Sequence, residues 1–145
     1  MINSLIALGP LILVIIIFLI MVPVLYMTTR RKAWRVKEKV EELTLAAPRS
    51  NLLTVQAKIK RILVDLSPER LTLRSAADHI DRADAFWKLG DLQMELMQFV
   101  DSESCYRAAI DAYNDALKLE PNNRIAISNK FNTVECLNQL ARRRF

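Results

Sequence analysis

Apolar and polar residues divide the chain into two parts of different character. Residues 5–27 are apolar at nearly every position, and the run is interrupted only by Gly9, Pro10 and Pro23. A helix of roughly 20 apolar residues spans a hydrocarbon core of about 30 Å, so this run is long enough to cross a membrane. The pattern therefore predicts an N-terminal transmembrane helix, with residues 1–29 forming the anchor.

The charges that follow the anchor predict its orientation. No Lys or Arg precedes the apolar run, whereas a basic cluster comes directly after it: Arg30, Arg31, Lys32, Arg35, Lys37 and Lys39. Such clusters stay on the cytoplasmic side during insertion, so we expect the N-terminus outside or in a lumen and the C-terminal part in the cytoplasm or stroma. We expect the first four of these residues at the membrane surface, in contact with lipid. The alternative, a cleaved signal peptide, requires a basic start and a small-residue cleavage site, and neither pattern is found in residues 1–27.

Beyond the anchor, apolar positions recur at helical spacing. Residues 33–47 carry Val36, Val40 and Leu43 on one stripe, and Pro48 ends the segment. We expect residues 30–48 to form a basic juxtamembrane helix or stalk.

Residues 49–145 are expected to form the main domain. Ser50 or Asn51 is placed to cap a helix, and Ser67 followed by Pro68 predicts the start of the next one. The apolar positions of these two helices are Leu52, Val55, Ile59, Ile62, Leu63 and Leu66, then Ala76, Ala77, Ile80 and Ala83.

The segment from Phe86 to Pro121 contains two further helical patterns, of which Asp101 or Ser102 is expected to cap the second. The turn at Pro121 should then cap a last helix, about residues 124–143. The apolar stripe of that last helix is Ile127, Phe131, Val134, Leu137 and Leu140. No segment has strand periodicity, so the predicted fold class is all-α.

Two parts of this segment resemble the tetratricopeptide repeat (TPR). The repeat has an aromatic residue and Leu-Gly in its first helix, then Ala, an aromatic residue and Ala-Leu in its second, then Pro at the turn. The corresponding residues here are Phe86, Leu89, Gly90, Ala109, Tyr113, Ala116, Leu117 and Pro121. The resemblance implies a single divergent repeat over Phe86–Asn122, with Ala109 and Tyr113 packed between antiparallel helices.

The spacing departs from the family pattern in the first half of the repeat. Gly90 and Pro121 are about seven residues farther apart than in the usual repeat of about 34 residues. An insertion of that length rotates a helix face by only ~20°, so the packing stripe is expected to survive. The resemblance implies that the last helix closes a TPR-like array as a capping helix. Whether residues 49–85 form a second repeat is left open.

In the repeat family, protein partners lie along a groove formed by successive first helices. Carried onto this chain, the resemblance implies a partner-binding groove of Asp84, Trp87, Asp91, Met94, Glu95, Ser128, Asn132 and Glu135. The acidic residues favour a basic or aromatic segment as the partner. The alternative for Trp87 is that it packs against the preceding helix.

The functional prediction is a non-enzymatic, membrane-anchored adaptor or scaffold that recruits or helps to assemble partner proteins. One alternative is an accessory subunit or assembly factor of a larger membrane complex, for example a photosynthetic one, in which the span itself packs against other helices. Another is a protein-import receptor. A span followed by a short repeat domain resembles the architecture of all these proteins, and it favours a bacterial plasma or thylakoid membrane.

Other chemistries have little support in the composition. With only two glycines, phosphate-cradling loops are excluded, and Asp78 does not orient the neighbouring His79, since adjacent helix residues point apart. Cys105 and Cys136 are not in a metal-ligand spacing, and both are expected to be inert thiols. The net charge of +5 mostly reflects the basic cluster rather than a basic face with aromatics. We therefore expect no catalytic residues, metal, cofactor, small-molecule substrate or nucleic acid.

Overall fold

A computed structural model describes residues 32–47, 52–71 and 73–143. The predicted anchor, Arg30, Arg31 and the predicted caps Ser50 and Asn51 lie outside these residues. Among the helices in the described ranges, none combines the length and the apolarity needed to cross a membrane.

Helices make up all the regular structure in the described ranges. The first, α1, covers residues 32–46, and it is followed by α2 (Leu52–Asp65), α3 (Ala76–Glu95), α4 (Phe99–Leu119) and α5 (Arg124–Arg143). The all-α prediction is confirmed for this part of the chain.

The start of α3 differs from the prediction. Ser75 is the N-cap: its side chain accepts a hydrogen bond from the Asp78 backbone N–H, and Asp78 accepts one from the Ser75 backbone. This reciprocal capping box satisfies two N–H groups of the first turn. Ser67 instead begins a turn after α2, since its carbonyl accepts from the Leu71 backbone N–H. Leu71 is buried, so the connection between α2 and α3 also contributes to the core, and the helix begins only at Ala76.

The ends of α4 were predicted with mixed success. The helix begins at Phe99 without a side-chain cap, so the predicted caps Asp101 and Ser102 are wrong. Ser102 is fully buried, and its hydroxyl donates to the Gly90 carbonyl oxygen over 2.8 Å. At the other end, Asn123 caps α5 by accepting from the Ala126 backbone N–H, as the turn at Pro121 predicted.

Helices α3 and α4 form an antiparallel hairpin. Ser102 bonds Gly90 near the connecting loop, whereas the Tyr113 hydroxyl bonds Asp84 toward the far end. Helix α5 packs antiparallel on α4, with Asn129 and Thr133 beside the Tyr113 hydroxyl. Small buried residues let the helices approach closely, namely Ala83, Ala85, Ala109, Ala112, Ala116 and Ala126.

The first two helices extend the same core. Their buried residues are Val36, Val40, Leu43, Val55, Ile59, Ile62 and Leu66. Full burial of an aliphatic side chain of this size stabilises a fold by about 1.5–3 kcal/mol. Arg82 of α3 also donates from Nε to the Leu66 carbonyl over 3.0 Å, which satisfies a carbonyl at the end of α2.

The buried face of α5 matches the prediction only in part. Leu140 is buried as predicted, but Ala126 and Thr133 are buried as well, whereas Ile127 is 49% exposed and Phe131 is 72% exposed. Because Thr133 lies beside the Tyr113 hydroxyl of α4, the side of α5 that carries Ala126, Thr133 and Leu140 faces the hairpin. Ile127 and Phe131 therefore point away from it.

Candidate protein-binding groove

Helices α1, α3 and α5 meet at one carboxylate. The Asp84 side chain accepts a hydrogen bond from the Lys37 Nζ of α1 at 2.7 Å and from the Asn129 Nδ2 of α5 at 3.1 Å. The Tyr113 hydroxyl of α4 donates to the same carboxylate at 2.5 Å. Four helices are therefore held by a single acidic side chain.

The electrostatics around Asp84 favour this arrangement. Burial opposes the charge on Lys37, but the hydrogen bond and the charge of Asp84, together with Asp81, raise its pKa above the usual value. Burial and the bond to Asp84 both raise the pKa of Tyr113. The lysine therefore stays charged and the tyrosine stays a hydrogen-bond donor at neutral pH.

Asp84 was predicted to line an exposed groove, and this placement is wrong. Asp84 is only 9% exposed, and its carboxylate oxygens accept hydrogen bonds from three donors. A carboxylate in that position holds helices together and is not available to a partner. The sequence alone does not predict these hydrogen bonds, because Lys37 lies 47 positions and Asn129 lies 45 positions from Asp84.

Trp87 lies between α3 and α5 and is half-buried, packed against the core. Its indole is next to Cys136 of α5: burial raises the pKa of that thiol, and the contact with Trp87 lowers it. Trp87 thus packs against the following helix α5, whereas the predicted alternative was the preceding one. Its remaining exposed surface borders the groove.

Asp91 and Glu95 follow Trp87 at one-turn intervals on α3, and Glu135 precedes Cys136 on α5; we call these three carboxylates the acidic rim. Asp91 and Glu135 both act electrostatically on Cys136, and Glu95 acts on Asp91. Glu95 and Glu135 are exposed, and Asp91 is half-buried. The acidic rim therefore includes residues of both α3 and α5, and its two glutamates face solvent.

The acidic rim has no cationic partner within the described ranges. None of its carboxylates forms an ion pair with a described Lys or Arg. Burial and the neighbouring Glu95 raise the pKa of Asp91, while a 2.6 Å hydrogen bond from the Tyr106 hydroxyl lowers it. The rim can therefore accept hydrogen bonds and ion pairs from an incoming basic group.

The other predicted groove residues are spread over α3 and α5. Met94 is half-buried on α3, and Ser128 and Asn132 are exposed on α5, one to two turns before Glu135. A shallow depression of about 340 Å³ lies between α1 and α3 and shares Asp91 with the acidic rim. It is lined by Glu41, Thr44, Leu45, Lys88 and Asp91.

The predicted repeat-packing residues lie mainly inside the hairpin. Phe86, Leu89, Gly90, Ala109, Tyr113 and Ala116 are buried, Leu117 is half-buried, and Pro121 is exposed in the turn before α5. The partner of Gly90 is unexpected: a Cβ atom at this position would lie 2.6 Å from Cε1 of Tyr106. Tyr106, and not Tyr113, therefore fills the space above the glycine.

Sequence reasoning did not identify Ser102 and Tyr106 as the residues that contact Gly90, although a signal was present. Ser102, Tyr106 and Ala109 have the same spacing as Ala109, Tyr113 and Ala116, one heptad earlier. Both sets fit the pattern of a small residue, an aromatic residue and a second small residue. Only the contact with Gly90 shows which set faces it.

The remaining candidate residues were placed as follows. Lys32 and Arg35, predicted at the membrane surface, are exposed on α1. Both cysteines are free; Cys105 is buried and Cys136 is half-buried. Burial, reinforced by Asp101, raises the pKa of Cys105 to about 12, which keeps this thiol neutral and unreactive. Among the residues that the structure describes, no group of three or more metal-ligating side chains is placed to hold a metal ion.

Comparison of the chain with protein-family models, with curated proteins and with solved structures finds no significant match.

Proposed function

We propose that this chain is a non-enzymatic, membrane-anchored adaptor with a TPR-like domain, which recruits a partner protein through a basic segment bound at the acidic rim. The proposal combines the predicted N-terminal span with the helical hairpin and its groove. The observation that carries it is the unpaired negative charge of Asp91, Glu95 and Glu135 beside the partly exposed Trp87.

The register of the hairpin supports a repeat-like interpretation. Gly90 in α3 is opposed by Ser102 and Tyr106 in α4, and Ala109 follows Tyr106 by three residues. Counted this way, the interval from the glycine to the first small residue of the second helix needs no insertion. The extra residues instead lengthen the end of the hairpin that is distant from the loop, where Asp84 and Tyr113 lie.

The acidic rim suits a segment that carries both positive charge and an aromatic or apolar group. Exposed carboxylates mainly accelerate association and make it sensitive to salt, whereas a partly desolvated aromatic residue contributes more of the affinity. A Lys or Arg next to an aromatic side chain would place its cation between α3 and α5 and its ring against Trp87.

The membrane location rests on the sequence. The apolar run over residues 5–27 is proposed to anchor the chain, and the basic residues after it are proposed to keep the domain on the cytoplasmic or stromal side. Tethering in this way would raise the effective concentration of the domain near partners in the same membrane.

The test is the binding of a fluorescently labelled peptide rich in Arg, Lys and Trp to the full chain in nanodiscs of neutral lipid. We expect the combined change Glu95→Lys and Glu135→Lys to weaken binding by about tenfold or more, since each reversal replaces attraction by repulsion. Fluorescence anisotropy at low and physiological salt measures the affinity.

The matched control reverses two acidic residues outside the groove, with Asp111→Lys and Glu120→Lys. Both residues are exposed, and the control changes the net charge by the same amount. An equal loss of binding in both double variants would show only a general charge effect and would contradict the acidic rim as the binding site.

A further inference from the structure

The outer face of α5 carries an apolar stripe that nothing in the described part of the chain covers. Ile127 and Phe131 are 49% and 72% exposed, and Val134 is half-buried on the same stripe. These residues follow the i, i+4, i+7 spacing by which one helix packs onto another. An exposed Phe in a helix whose opposite face is buried against α4 is suited to contact with a second apolar surface.

Basic residues bracket this stripe. Helix α5 has four basic residues and one acidic residue, Glu135. Arg124 lies one turn before Ile127, and Arg142 lies two turns after Val134. Arg142 and Arg143 suit the negative end of the helix dipole, but Arg124 lies at the positive end, where a cation is disfavoured. The dipole therefore does not account for the basic charge at the start of the helix.

The packing order of the helices shows where this face lies in the helical stack. Helix α4 packs antiparallel on α3, and α5 packs antiparallel on α4. In stacked helical repeats each new helix covers the exposed apolar face of the one before it. The stripe of Ile127, Phe131 and Val134 lies where the next helix of such a stack would pack.

We propose that the outer face of α5 binds an amphipathic helix of a partner protein, whose apolar side covers Phe131 and whose acidic residues pair with Arg124 and Arg142. Charge complementarity favours this occupant over a second copy that packs through the same face, because another α5 would bring four more basic residues to the contact. The site adjoins the acidic rim, since Glu135 lies one turn after Phe131 on α5, but it requires the opposite charge in its ligand.

The probe is a synthetic helical peptide with Leu on one face and Glu on the other, and its companion carries Lys in place of Glu. Both are labelled and titrated onto the full chain in nanodiscs of neutral lipid. We expect the acidic peptide to bind and Phe131→Ser to weaken it by about tenfold or more, as truncation of a central aromatic contact does. Val100→Ser changes an equally exposed apolar residue of α4 and should leave binding unchanged.

A second pair of variants tests the charges. Arg124→Glu with Arg142→Glu should lower the affinity for the acidic peptide and raise the affinity for the basic one. Lys58→Glu with Arg61→Glu changes two exposed residues of α2 and should leave both affinities unchanged. The proposal is overturned if the acidic peptide does not bind, or if Phe131→Ser binds it as the parent does.

Two further results would assign the face to another occupant. Self-association of the parent that Phe131→Ser abolishes would identify a second copy. Quenching of a Phe131→Trp variant by brominated anionic lipid, above that of the parent, would identify the membrane surface. Loss of basic-peptide binding at the acidic rim would leave this proposal unaffected, because the two ligands have opposite charge and the acidic peptide depends on Phe131, Arg124 and Arg142.

Discussion

At the scale of single residues, the Asp84 carboxylate organises the described part of the molecule. Its three donors come from α1, α4 and α5, and each would lose a partner if the carboxylate were removed. A buried charge is stable only when it is paired and hydrogen-bonded, which is the condition that Lys37, Tyr113 and Asn129 meet. Asp84, which the resemblance placed among the groove residues, therefore holds helices together.

We expect Asp84→Asn to destabilise the domain by about 1.5–3 kcal/mol, the usual range for a hydrogen bond to a charged group. The amide has the shape of the carboxylate but lacks the charge that balances Lys37. Urea unfolding of the full chain in detergent, followed by circular dichroism, measures the change.

The control for this prediction is Asp111→Asn on the exposed face of α4, which should shift stability by less than about 0.5 kcal/mol. A double-mutant cycle with Tyr113→Phe should show coupling between the two positions. Equal stability of Asp84→Asn and the parent would mean that the carboxylate does not hold the helices together.

At the scale of helices, the register of α3 against α4 is set by the fit of Gly90 to the ring of Tyr106. Tyr106 is completely buried, so its ring has little room to move away from an added methyl group. The approach of the two helices therefore depends on the missing side chain at position 90.

We expect Gly90→Ala to destabilise the hairpin by about 1–3 kcal/mol through overpacking, partly offset by about 1 kcal/mol of improved helix propensity. Tyr106→Leu removes the ring that the methyl group meets, so adding Gly90→Ala to it should cost much less than adding it to the parent. Thermal unfolding of the four proteins of this cycle gives the coupling.

The same cycle with Tyr113→Leu distinguishes the two registers. The structure predicts near-additive effects for Gly90 and Tyr113, whereas the spacing inferred from the sequence places Tyr113 in the role of Tyr106. Coupling of Gly90 to Tyr113, without coupling to Tyr106, would contradict the structure.

The hairpin also shows which structural features the sequence predicts and which it does not. Periodicity predicts helices and an apolar contact between them, but a heptad shift turns a helix face by only ~20°. The sets Ser102–Tyr106–Ala109 and Ala109–Tyr113–Ala116 are therefore nearly equivalent in the pattern. Spacing alone does not choose between them, whereas the missing Cβ of Gly90 does.

Helix ends and exposed faces show similar limits. Ser67 and Ser75 each have the features of an N-cap, and only the burial of Leu71 and the bond between Ser75 and Asp78 select the second. In α5 the pattern predicts one apolar face, of which Leu140 is buried, but Ile127 and Phe131 are exposed because Ala126 and Thr133 lie on the side that faces α4. These choices depend on tertiary packing.

At the scale of the whole molecule, the proposal gives the chain two surfaces of opposite charge at one end of the helical stack. The acidic rim lies between α3 and α5, and the basic, apolar outer face belongs to α5 alone. Helix α1 is joined to α3, which carries part of the groove, through the Lys37–Asp84 bond and the Lys88–Glu41 ion pair. An adaptor anchored through α1 would thereby hold its groove in a fixed relation to its tether.

The central claim is that the groove, and not the span, holds the partner. The most direct measurement is the size of the assembly that contains the chain, read from native gels of mildly solubilised membranes of its own host. We predict that Glu95→Lys with Glu135→Lys reduces the assembly to the chain alone, while replacement of residues 5–27 by an unrelated anchor leaves it intact. An assembly that survives the double variant but is lost on anchor replacement would contradict the adaptor function and identify the chain as a subunit held by its span.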